Sequence, residues 1–441
     1  MVSDQFYINV PSALQDALEE VPDTTTLYSL DEDLTPRPVP GREGERYIPF
    51  GFDDRLPFKL MDIIGGDEVT AENKLFNVLT CYGAGISLQN HKTGQPVTDP
   101  KIEDWVRRQS LPTFFLEQIT DMKYYYFSVC VIILNKARTQ INRIVHKEAC
   151  YCRLAPADRH GQIPYIYYGR FGSRTQAGEI ERIPLLDITD PYGDLLRRTG
   201  REGHRSERCC KYAMLVRFPT AGCQYYPVPY WTSILRGGSY DEKRLISEGK
   251  RSKLRKNTSL KYHIEVERGY YERICEEEGI TDPEAMAERI RKEKRNIEKY
   301  VCGLGNSGRT LISKYYTDAF GHEQRDVRIH VVETAKEGGE WSEDVQAAAN
   351  TICYADNVHP NLVGAVPGKT QTNNSGSDKR ELFTMKQALE IAFHDILLLP
   401  LQVACWFNGW KDVKPVVPMI QLTTLDQHKD AVETTPEEMN K

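Results

Sequence analysis

The sequence predicts an α+β fold, in which helices and strands occupy separate stretches of one chain. Two amphipathic helical patterns flank a long polar loop in the C-terminal part, and further helical patterns cover residues 101–118 and 230–256. Runs of β-branched and aromatic residues predict strands in "KYYYFSVCVIILNK", "PYIYYGRF" and "KYAMLVRF". The chain has 441 residues, of which 40% are hydrophobic, and this length suits roughly two to four domains or subdomains.

The N-terminal sixty or so residues are rich in Asp, Glu, Pro and Thr, which predicts an extended arm. An α+β region follows and continues to about residue 227. The helical pattern over residues 230–256 contains Gly237 and Gly238, and each glycine costs about 1 kcal/mol in a helix interior. The pattern therefore allows a break at that pair. Lys and Arg are frequent from residue 243 to residue 256, either as a solvated helix face or as a patch that faces DNA or a motor.

Residues 257–340 are predicted to form a small α/β insert. "LKYHIEV" is typical of a strand, and Thr281 and Glu284 make a capping box with Pro283 at the start of a charged helix. Two more strand-like runs follow, "RTLISKYY" and "VRIHVVET". The insert thus interrupts the longer helical patterns on either side of it.

The helix before the polar loop is predicted to start near Ser342, with Val345, Ala348, Ile352 and Ala355 on one stripe. The helix after the loop is predicted to start at Ser377. Its apolar residues recur at three- and four-residue steps, and they are Leu382, Met385, Leu389, Phe393 and Ile396. A kink is expected near Pro400. A polar loop of about twenty residues is rare in a compact domain unless it has a function.

The chain carries 57 Lys and Arg against 63 Asp and Glu, a formal net charge of −6. This balance argues against a tight, histone-like wrapper of nucleic acid but allows transient contact with DNA. The longest apolar run, residues 124–134, is far shorter than the ~20 residues of a membrane-spanning helix, so a buried strand and no membrane partner are expected. Eleven cysteines without a signal-peptide pattern favour reduced thiols in a cytosolic setting.

Two glycine motifs resemble nucleotide-binding loops. Gly303, Gly305 and Gly308 fit G-x-G-x-x-G, but a charged helix precedes them and a strand follows, which reverses the order that a dinucleotide site needs. "GAVPGKT" has one residue too few between its glycines for a phosphate loop, and no strand pattern leads into it. A helix cap and a mobile polar loop are the simpler interpretations.

Two other clusters have the residue types of metal sites. Cys150, Cys152 and His146, and separately Cys209, Cys210 and His204, lack the two-residue spacing of zinc knuckles. The segment "DITDPYGD" carries carboxylates that suit capping and turn formation better than a magnesium site. We therefore expect no metal, no cofactor and no catalytic residues.

The order helix, "HPNLVG", Gly/Asn/Ser loop, "NSGSDKRE", helix and "LLLPL" resembles the C-terminal half of portal proteins of tailed bacteriophages, the head-to-tail connectors of DNA packaging. The resemblance extends from about residue 111 onward, and the order of elements carries it. It implies the following parts: an extended N-terminal arm (1–60), an α+β wing (61–227), a first stem helix (228–256), an α/β clip (257–340), a second stem helix (341–358), a tunnel loop (359–378), a kinked helix of the wing or crown (379–410), and a C-terminal strand and tail (411–441).

The resemblance also implies a structural protein and not an enzyme. Portal proteins form a ring, usually of twelve subunits, at one capsid vertex, through which double-stranded DNA is packaged and ejected. The implied partners are the major capsid protein, the large terminase and a head-tail adaptor. The implied location is the virion, after assembly in the host cytoplasm.

On this resemblance, residues on or beside the tunnel loop are candidates for the wall of the DNA channel. Three cations would touch the DNA backbone transiently, namely Lys369, Lys379 and Arg380. Three glycines would let the loop bend, namely Gly364, Gly368 and Gly376. The same cations are equally well explained as solvated loop charges. Two alternative functions remain open at this point, a P-loop-type nucleotide-binding enzyme and another capsid or connector structural protein.

Overall fold

The computed structural model describes residues 37–41, 46–171, 180–201, 208–256, 262–266, 269–302, 315–317, 323–325, 327–331, 340–363 and 376–420. These residues fall into two compact units. Unit 1 comprises the described parts of Met1–Lys243 and Glu343–Lys441, and unit 2 those of Arg244–Ser342. Helices and strands are both present, so the predicted α+β class is confirmed.

The helices begin and end as follows: α1 Leu56–Gly66, α2 Glu68–Tyr82, α3 Pro100–Arg107, α4 Leu111–Tyr125, α5 Pro191–Thr199, α6 Ser233–Arg236, α7 Ser239–Lys256, α8 Tyr270–Glu277, α9 Pro283–Cys302, α10 Glu340–Ala355, α11 Pro360–Val363, α12 Gly376–Leu397 and α13 Leu399–Phe407. Two 3-10 turns, Ala149–Tyr151 and Tyr230–Thr232, complete the helical elements of the described residues.

The strands are β1 Val39–Pro40, β2 Arg46–Tyr47, β3 Ser87–Asn90, β4 Phe127–Leu134, β5 Ile141–Lys147, β6 Cys152–Leu154, β7 Tyr165–Tyr168, β8 Glu181–Pro184, β9 Lys211–Arg217, β10 Tyr262–Val266, β11 Tyr315–Thr317, β12 Glu323–Arg325, β13 Val327–Val331 and β14 Val413–Val416. In unit 1 they form the antiparallel sheets β5-β4-β9 and β6-β7-β8 and the pairs β1-β2 and β14-β3.

The sheet β5-β4-β9 contributes to the two large hydrophobic cores of unit 1, and a small third cluster contains Ile102, Cys405 and Val413. Alternate residues of a strand point to opposite faces, so Val129 and Val131 of β4 enter the first core and Cys130 and Ile132 the second. The first core also contains Ile352 of α10. The second core contains the C-terminal end of α12 and most of α13. Because β4 is covered on both faces, its sequence is a continuous apolar run.

The apolar run 124–134 forms a shorter strand than predicted. Its first residues, Tyr124 and Tyr125, complete α4, and the strand begins at Phe127. Tyr126 separates the two elements because its φ of 61° is left-handed, and its backbone N–H donates to the carbonyl of Met122. A left-handed residue at this position is a common way to end a helix.

The helical pattern over residues 101–118 forms two helices, α3 and α4. Arg108 is the C-cap of α3, and Ser110, the N-cap of α4, has a left-handed φ of 50°. Pro112 occupies the first turn of α4, where the missing N–H costs nothing. The helices predicted around residues 101–118 are therefore confirmed, and the second continues to Tyr125.

The predicted first stem helix is broken at the two glycines. α6 ends at Arg236, Gly238 has a φ of 80°, and α7 begins at Ser239. The helical path from residue 230 thus consists of a 3-10 turn and two helices.

The segment before α1 is more closely packed than an extended arm that reaches residue 60. Ile48 is fully buried and Phe50 is 2% exposed, so both belong to the core of unit 1. The backbone N–H of Ile48 donates to the carbonyl of Leu154 at 2.8 Å. Residues 1–36 of the predicted arm lie outside the described residues.

α10 ends in a Schellman motif, three residues before the predicted end at residue 358. Val358 N donates to the carbonyl of Cys353 at 2.9 Å, and Asn357 N donates to the carbonyl of Tyr354 at 3.0 Å. Asn357 has a φ of 55°, the left-handed conformation that this motif needs. α11 begins two residues later.

The kinked helix is confirmed as a bent pair. α12 and α13 meet at Leu398 and differ in direction by 44°, next to Pro400 in the first turn of α13. Among the described residues, no single helix has the length and apolarity to cross a membrane, whereas this bent pair meets both criteria by length and composition only. The apolar periodicity of α12 predicted that Met385 and Leu389 are buried. Both are instead exposed, by 63% and 54%.

Unit 2 contains α8, α9, the antiparallel pair β10-β13 and the pair β11-β12. The guanidinium of Arg289 in α9 donates twice to Glu278 at 2.8 Å and once to Glu293 at 2.7 Å. These bonds fix α9 against the turn that follows α8. Asp282 caps α9 by accepting from the N–H of Ala285 at 3.0 Å.

Candidate functional site

The predicted tunnel loop is bordered by α11 and α12, and its central part, residues 364–375, lies outside the described residues. Gly364, Gly368 and Lys369 fall in that part. Gly376 is the first residue of α12, and Lys379 and Arg380 lie in the first turn, Lys379 exposed and Arg380 half-buried. The structure thus brings three of the six predicted site residues onto one helical turn.

The helix on the N-terminal side of the loop is fixed by a buried ion pair. Lys74 of α2 binds the carboxylate of Asp356, the residue that follows α10, and the two side chains are 2% and 4% exposed. Asn77, one turn further along α2, donates to the carbonyl of Asp356 at 3.0 Å. α2 therefore holds the end of α10 through both the side chain and the backbone of Asp356.

The helix on the C-terminal side is fixed by a second group of buried charges. Lys123 of α4 lies 2.5 Å from Glu390 of α12, and Lys386 lies 3.2 Å from the same carboxylate. Lys386 also donates to the carbonyl of Asn357 at 3.1 Å, across the gap between α10 and α12. Both ends of the loop are thus attached to one another and to the core.

Aromatic rings cover the ammonium groups of this cluster. Lys74 Nζ lies 4.0 Å from the ring centroid of Trp231, and Lys123 Nζ lies 3.4 Å from that of Phe393. Trp231 donates its indole N–H to the carbonyl of Tyr124 at 3.1 Å, which fixes the ring. Cation–π contacts of this kind strengthen when water is excluded.

The buried positions shift the protonation equilibria. Burial lowers the pKa of Lys74 to about 8, against the opposing effect of Asp356. Burial also lowers the pKa of Lys386. For Glu390, burial raises the pKa, but Lys123 and Lys386 together outweigh burial, so the pKa lies below its ordinary value. At neutral pH Lys74 therefore remains mostly protonated, and Glu390 is ionised.

We define the loop anchor as Lys74, Lys123, Asp356, Lys386 and Glu390. Sequence reasoning did not identify any of these five residues. The one local signal is the spacing of Lys386 and Glu390, which is typical of an ion pair on a helix surface. Nothing in the sequence shows that this pair faces inward.

The cation-rich stretch of residues 243–256 includes one buried member. Lys243 is 3% exposed, binds the carboxylate of Asp67 and lies 2.9 Å from Glu68. Asp67 is also the N-cap of α2, where it accepts from the N–H of Thr70 at 2.8 Å. Lys243 is thus an internal structural charge, and neither of the two sequence interpretations anticipated it.

Packing and capping account for the described members of the first cysteine cluster and of "DITDPYGD", whereas His204 of the second cysteine cluster lies outside the described residues. Cys150 and Cys152 are buried, burial raises the pKa of the Cys150 thiol to about 12, and His146 lies 3.0 Å from Asp121. Asp190 caps α5 by accepting from the N–H of Gly193 at 2.8 Å. Within the described ranges, no group of three His, Cys, Asp or Glu side chains is placed to hold a metal ion.

The element that leads into "GAVPGKT" is the short helix α11. A phosphate loop is delivered by a strand and followed directly by a helix. The motif itself begins at Gly364, outside the described residues. The surrounding structure therefore does not supply the context of a P-loop.

No protein-family model and no curated protein matches the chain in sequence. Solved structures do match. A chain in the neck of an empty gene transfer agent (GTA) particle, computed with C6 symmetry, has a TM-score of 0.54 and 14% identity over 86% of this chain and 85% of that one. A chain in the neck of the native GTA particle, computed with C12 symmetry, has a TM-score of 0.52 and 14% identity over 89% of both chains.

The chain shares its fold with a protein of the GTA particle neck. This fold supports the resemblance to portal proteins seen in the sequence. A phage portal protein of the HK97 family from Corynebacterium diphtheriae also matches, with 11% identity over 78% of this chain and 89% of that one. Its TM-score of 0.34 is too low to support an argument about this chain.

Proposed function

We propose that this protein is the portal protein of a tailed phage or prophage. Copies would form a ring at one capsid vertex, through which double-stranded DNA is packaged and ejected. The observation that carries the proposal is the fold overlap, over 86% of the chain, with a component of a particle neck. The matched neck structures were computed with six-fold and twelve-fold symmetry, which supports a ring of twelve copies.

The division of the chain into two units supports the roles of its parts. We assign unit 2 to the clip that docks the large terminase and later the head-tail adaptor. Unit 1 would contain the wing that meets the major capsid protein. The predicted clip, residues 257–340, lies within unit 2, and we assign the two stem helices to the helical path 230–256 and to α10.

The loop anchor supports a mechanical role for the tunnel loop. A loop that touches moving DNA transmits force to its two ends, and here both ends are attached to α2 and α4 by buried ion pairs. Losing one partner of a buried pair is costly, so such attachments resist separation. We infer that the anchor holds the loop base still while the loop tip follows the DNA.

The charges near the loop suit sliding contact. Each Lys or Arg that binds a phosphate adds salt-dependent affinity, so a channel with many such contacts would retain DNA. Lys369, Lys379 and Arg380 would supply a few transient contacts, while Gly364, Gly368 and Gly376 give the loop its freedom. The net charge of −6 limits the number of further contacts.

Purified full-length protein tests the proposal. Negative-stain images should show rings with an axial hole, and the protein should not hydrolyse ATP with or without DNA. A monomer of fixed mass, or ATP hydrolysis that follows the protein through purification, would contradict the portal assignment. Rings that never incorporate into heads would point to another connector protein.

A further inference from the structure

α2 is a helix with a buried polar side. Five polar side chains, of the N-cap and of four helical residues, are at most 7% exposed, and they are Asp67, Thr70, Asn73, Lys74 and Asn77. Residues three or four positions apart lie on the same side of a helix, so these five form a stripe. The leucines Leu75 and Leu79 of the same helix are 51% and 56% exposed. We call the five buried residues the polar stripe of α2.

The first residue of the polar stripe binds the start of α7. Lys243 of α7 pairs with one carboxylate oxygen of Asp67 and lies 2.9 Å from Glu68, whose pKa it lowers. The other oxygen of Asp67 accepts from the N–H of Thr70 at 2.8 Å and from its hydroxyl at 2.7 Å. Both oxygens of this buried carboxylate are therefore used, one toward α7 and one toward α2 itself.

The later residues of the polar stripe bind the end of α10. Lys74 pairs with the carboxylate of Asp356, and Asn77 donates to the carbonyl of the same residue at 3.0 Å. The amide oxygen of Asn73 accepts from the thiol of Cys353, one turn earlier in α10, at 3.6 Å. Three side chains of α2 thus contact the last turn of α10 and the residue that follows it.

The contacts to α7 and those to α10 lie close together in unit 1. Burial raises the pKa of the Cys353 thiol, and the carboxylates of Asp356 and Asp67 raise it further, so both ion pairs lie near this side chain. From Asp67 to Lys74 the helix rises only about 10 Å. Lys243 is the last residue of the N-terminal part of unit 1, so all of these contacts are within one compact unit.

Hydrogen bonds and ion pairs fix the position of α2 against both neighbours. A buried polar group is costly unless it keeps its partner, so α2 cannot shift along α7 or α10 without losing these bonds. Rigid helices joined by ion pairs carry energetic coupling between separate sites. A displacement of the start of α7 is therefore passed to Asp356, which the tunnel loop follows after α11.

We propose that Asp67 and Lys243 are positioning residues of the tunnel loop, because they tie the start of α7 to the helix that holds the loop base at Asp356. The inference rests on the proposed function and adds a physical connection between the first stem helix and the loop. Both residues act on the loop through α2. Loss of their ion pair should therefore loosen the end of α10 as well as the start of α2.

Hydrogen exchange of the full chain, followed by mass spectrometry, tests the connection. In Lys243→Met, the peptide with the amides of Asn357 and Val358, which close the end of α10, should exchange roughly tenfold faster than in the wild type, a coupling of ordinary size between linked sites. The double variant Asp67→Asn/Lys243→Met removes both buried charges and keeps an N-cap residue, so global stability should largely recover. Exchange in β4 reports that recovery. The peptide at the end of α10 should stay fast, because α2 still lacks its bond to α7.

Arg153→Met is the matched control, since it removes a fully buried cation from a carboxylate, that of Asp54, elsewhere in unit 1. It should accelerate exchange in β4 without a selective effect at the end of α10. Wild-type exchange at Asn357 and Val358 in Lys243→Met, or recovery there together with β4 in the double variant, would overturn the inference. The measurement requires neither DNA nor a ring, so wild-type protein that forms no ring would instead contradict the portal assignment.

Discussion

Lys74 and Asp356 are 282 residues apart in the chain, yet they form an ion pair inside the core of unit 1. The pair joins α2 to the residue that ends α10, and α11 and the tunnel loop follow directly. Lys386 and Glu390 join the other side of the loop to the same region. The position of the loop base is thus decided by a few buried charges.

Lys74→Met should destabilise the protein by about 3–5 kcal/mol, because Asp356 then remains buried without its cation. The double variant Lys74→Met/Asp356→Leu should recover most of this loss, since it removes both charges. Urea unfolding of the three proteins measures these differences. A single variant as stable as the wild type would show that the pair does not hold the loop base.

The exposed pair of Lys59 and Asp53 provides the control. Their charged atoms are 2.9 Å apart, but the side chains are 33% and 39% exposed. Surface pairs contribute about 0–1 kcal/mol, so Lys59→Met should leave the free energy of unfolding almost unchanged.

The contribution of Lys74 to the stability of the protein should rise between pH 8 and pH 9.5, whereas buried thiols such as Cys150, whose pKa is raised by burial, contribute in the opposite direction. The pKa of Lys74 is about 8 in the folded protein and ordinarily 10.5, so in this window the unfolded chain binds the extra proton. Stability increases with pH wherever the unfolded state binds more protons, here by on the order of 2 kcal/mol over the window. The contribution is fully present above 10.5 and is lost as the pH falls through 8.

The double variant Lys74→Met/Asp356→Leu is the reference for this pH dependence. The difference in unfolding free energy between the wild type and this variant, measured by denaturant titration at each pH, should shift in favour of the wild type as the pH rises through the window. Identical slopes for the two proteins would show that Lys74 keeps its ordinary pKa.

Asn357 should tolerate glycine but not alanine. Its φ of 55° is left-handed, a conformation that costs an ordinary L-residue roughly 1–2 kcal/mol. Asn357→Ala should therefore lower the free energy of unfolding by about that amount, and Asn357→Gly should stay closer to the wild type. Equal effects of the two variants, seen in thermal unfolding, would contradict the Schellman end of α10.

Charge reversal near the loop should weaken DNA binding in a salt-dependent manner. A variant with Glu at positions 369, 379 and 380 should lose affinity for duplex DNA, and the slope of log K against log salt should fall by roughly 0.9 for each lost phosphate contact. Titration of rings with labelled duplex at several salt concentrations measures the slope.

The control carries the same charge change elsewhere. Lys101, Arg107 and Arg143 are exposed in α3 and β5, and Glu at these three positions should leave the slope unchanged. If both triple variants lose equal affinity, the effect is one of net charge and the assignment of the loop cations is wrong.

The sequence predicted those features that depend on local chemistry. Runs of aromatic and aliphatic residues predicted β7 and β9, and Gly237 with Gly238 allowed a break in the helical path. Pro400 predicted the bend between α12 and α13. Each of these signals acts within a few residues, through backbone conformation or side-chain alternation.

The remaining features depend on partners far away in the chain. From the sequence alone, Lys123 would be expected at the surface. Its buried partner Glu390 lies 267 residues later in the chain. Met385 and Leu389 have the spacing of a buried face but are exposed. Lys386 and Glu390 are buried instead, because Glu390 forms ion pairs with Lys386 and Lys123 there. Periodicity alone cannot show which side of a helix faces inward.

A cryo-electron microscopy reconstruction of the purified protein tests the central claim most directly. We predict a closed ring with a pore wide enough for duplex DNA, with the first turn of α12, from Gly376 to Arg380, at the pore wall. A ring that carries this turn on its outer surface, or an assembly without a pore, would contradict the account.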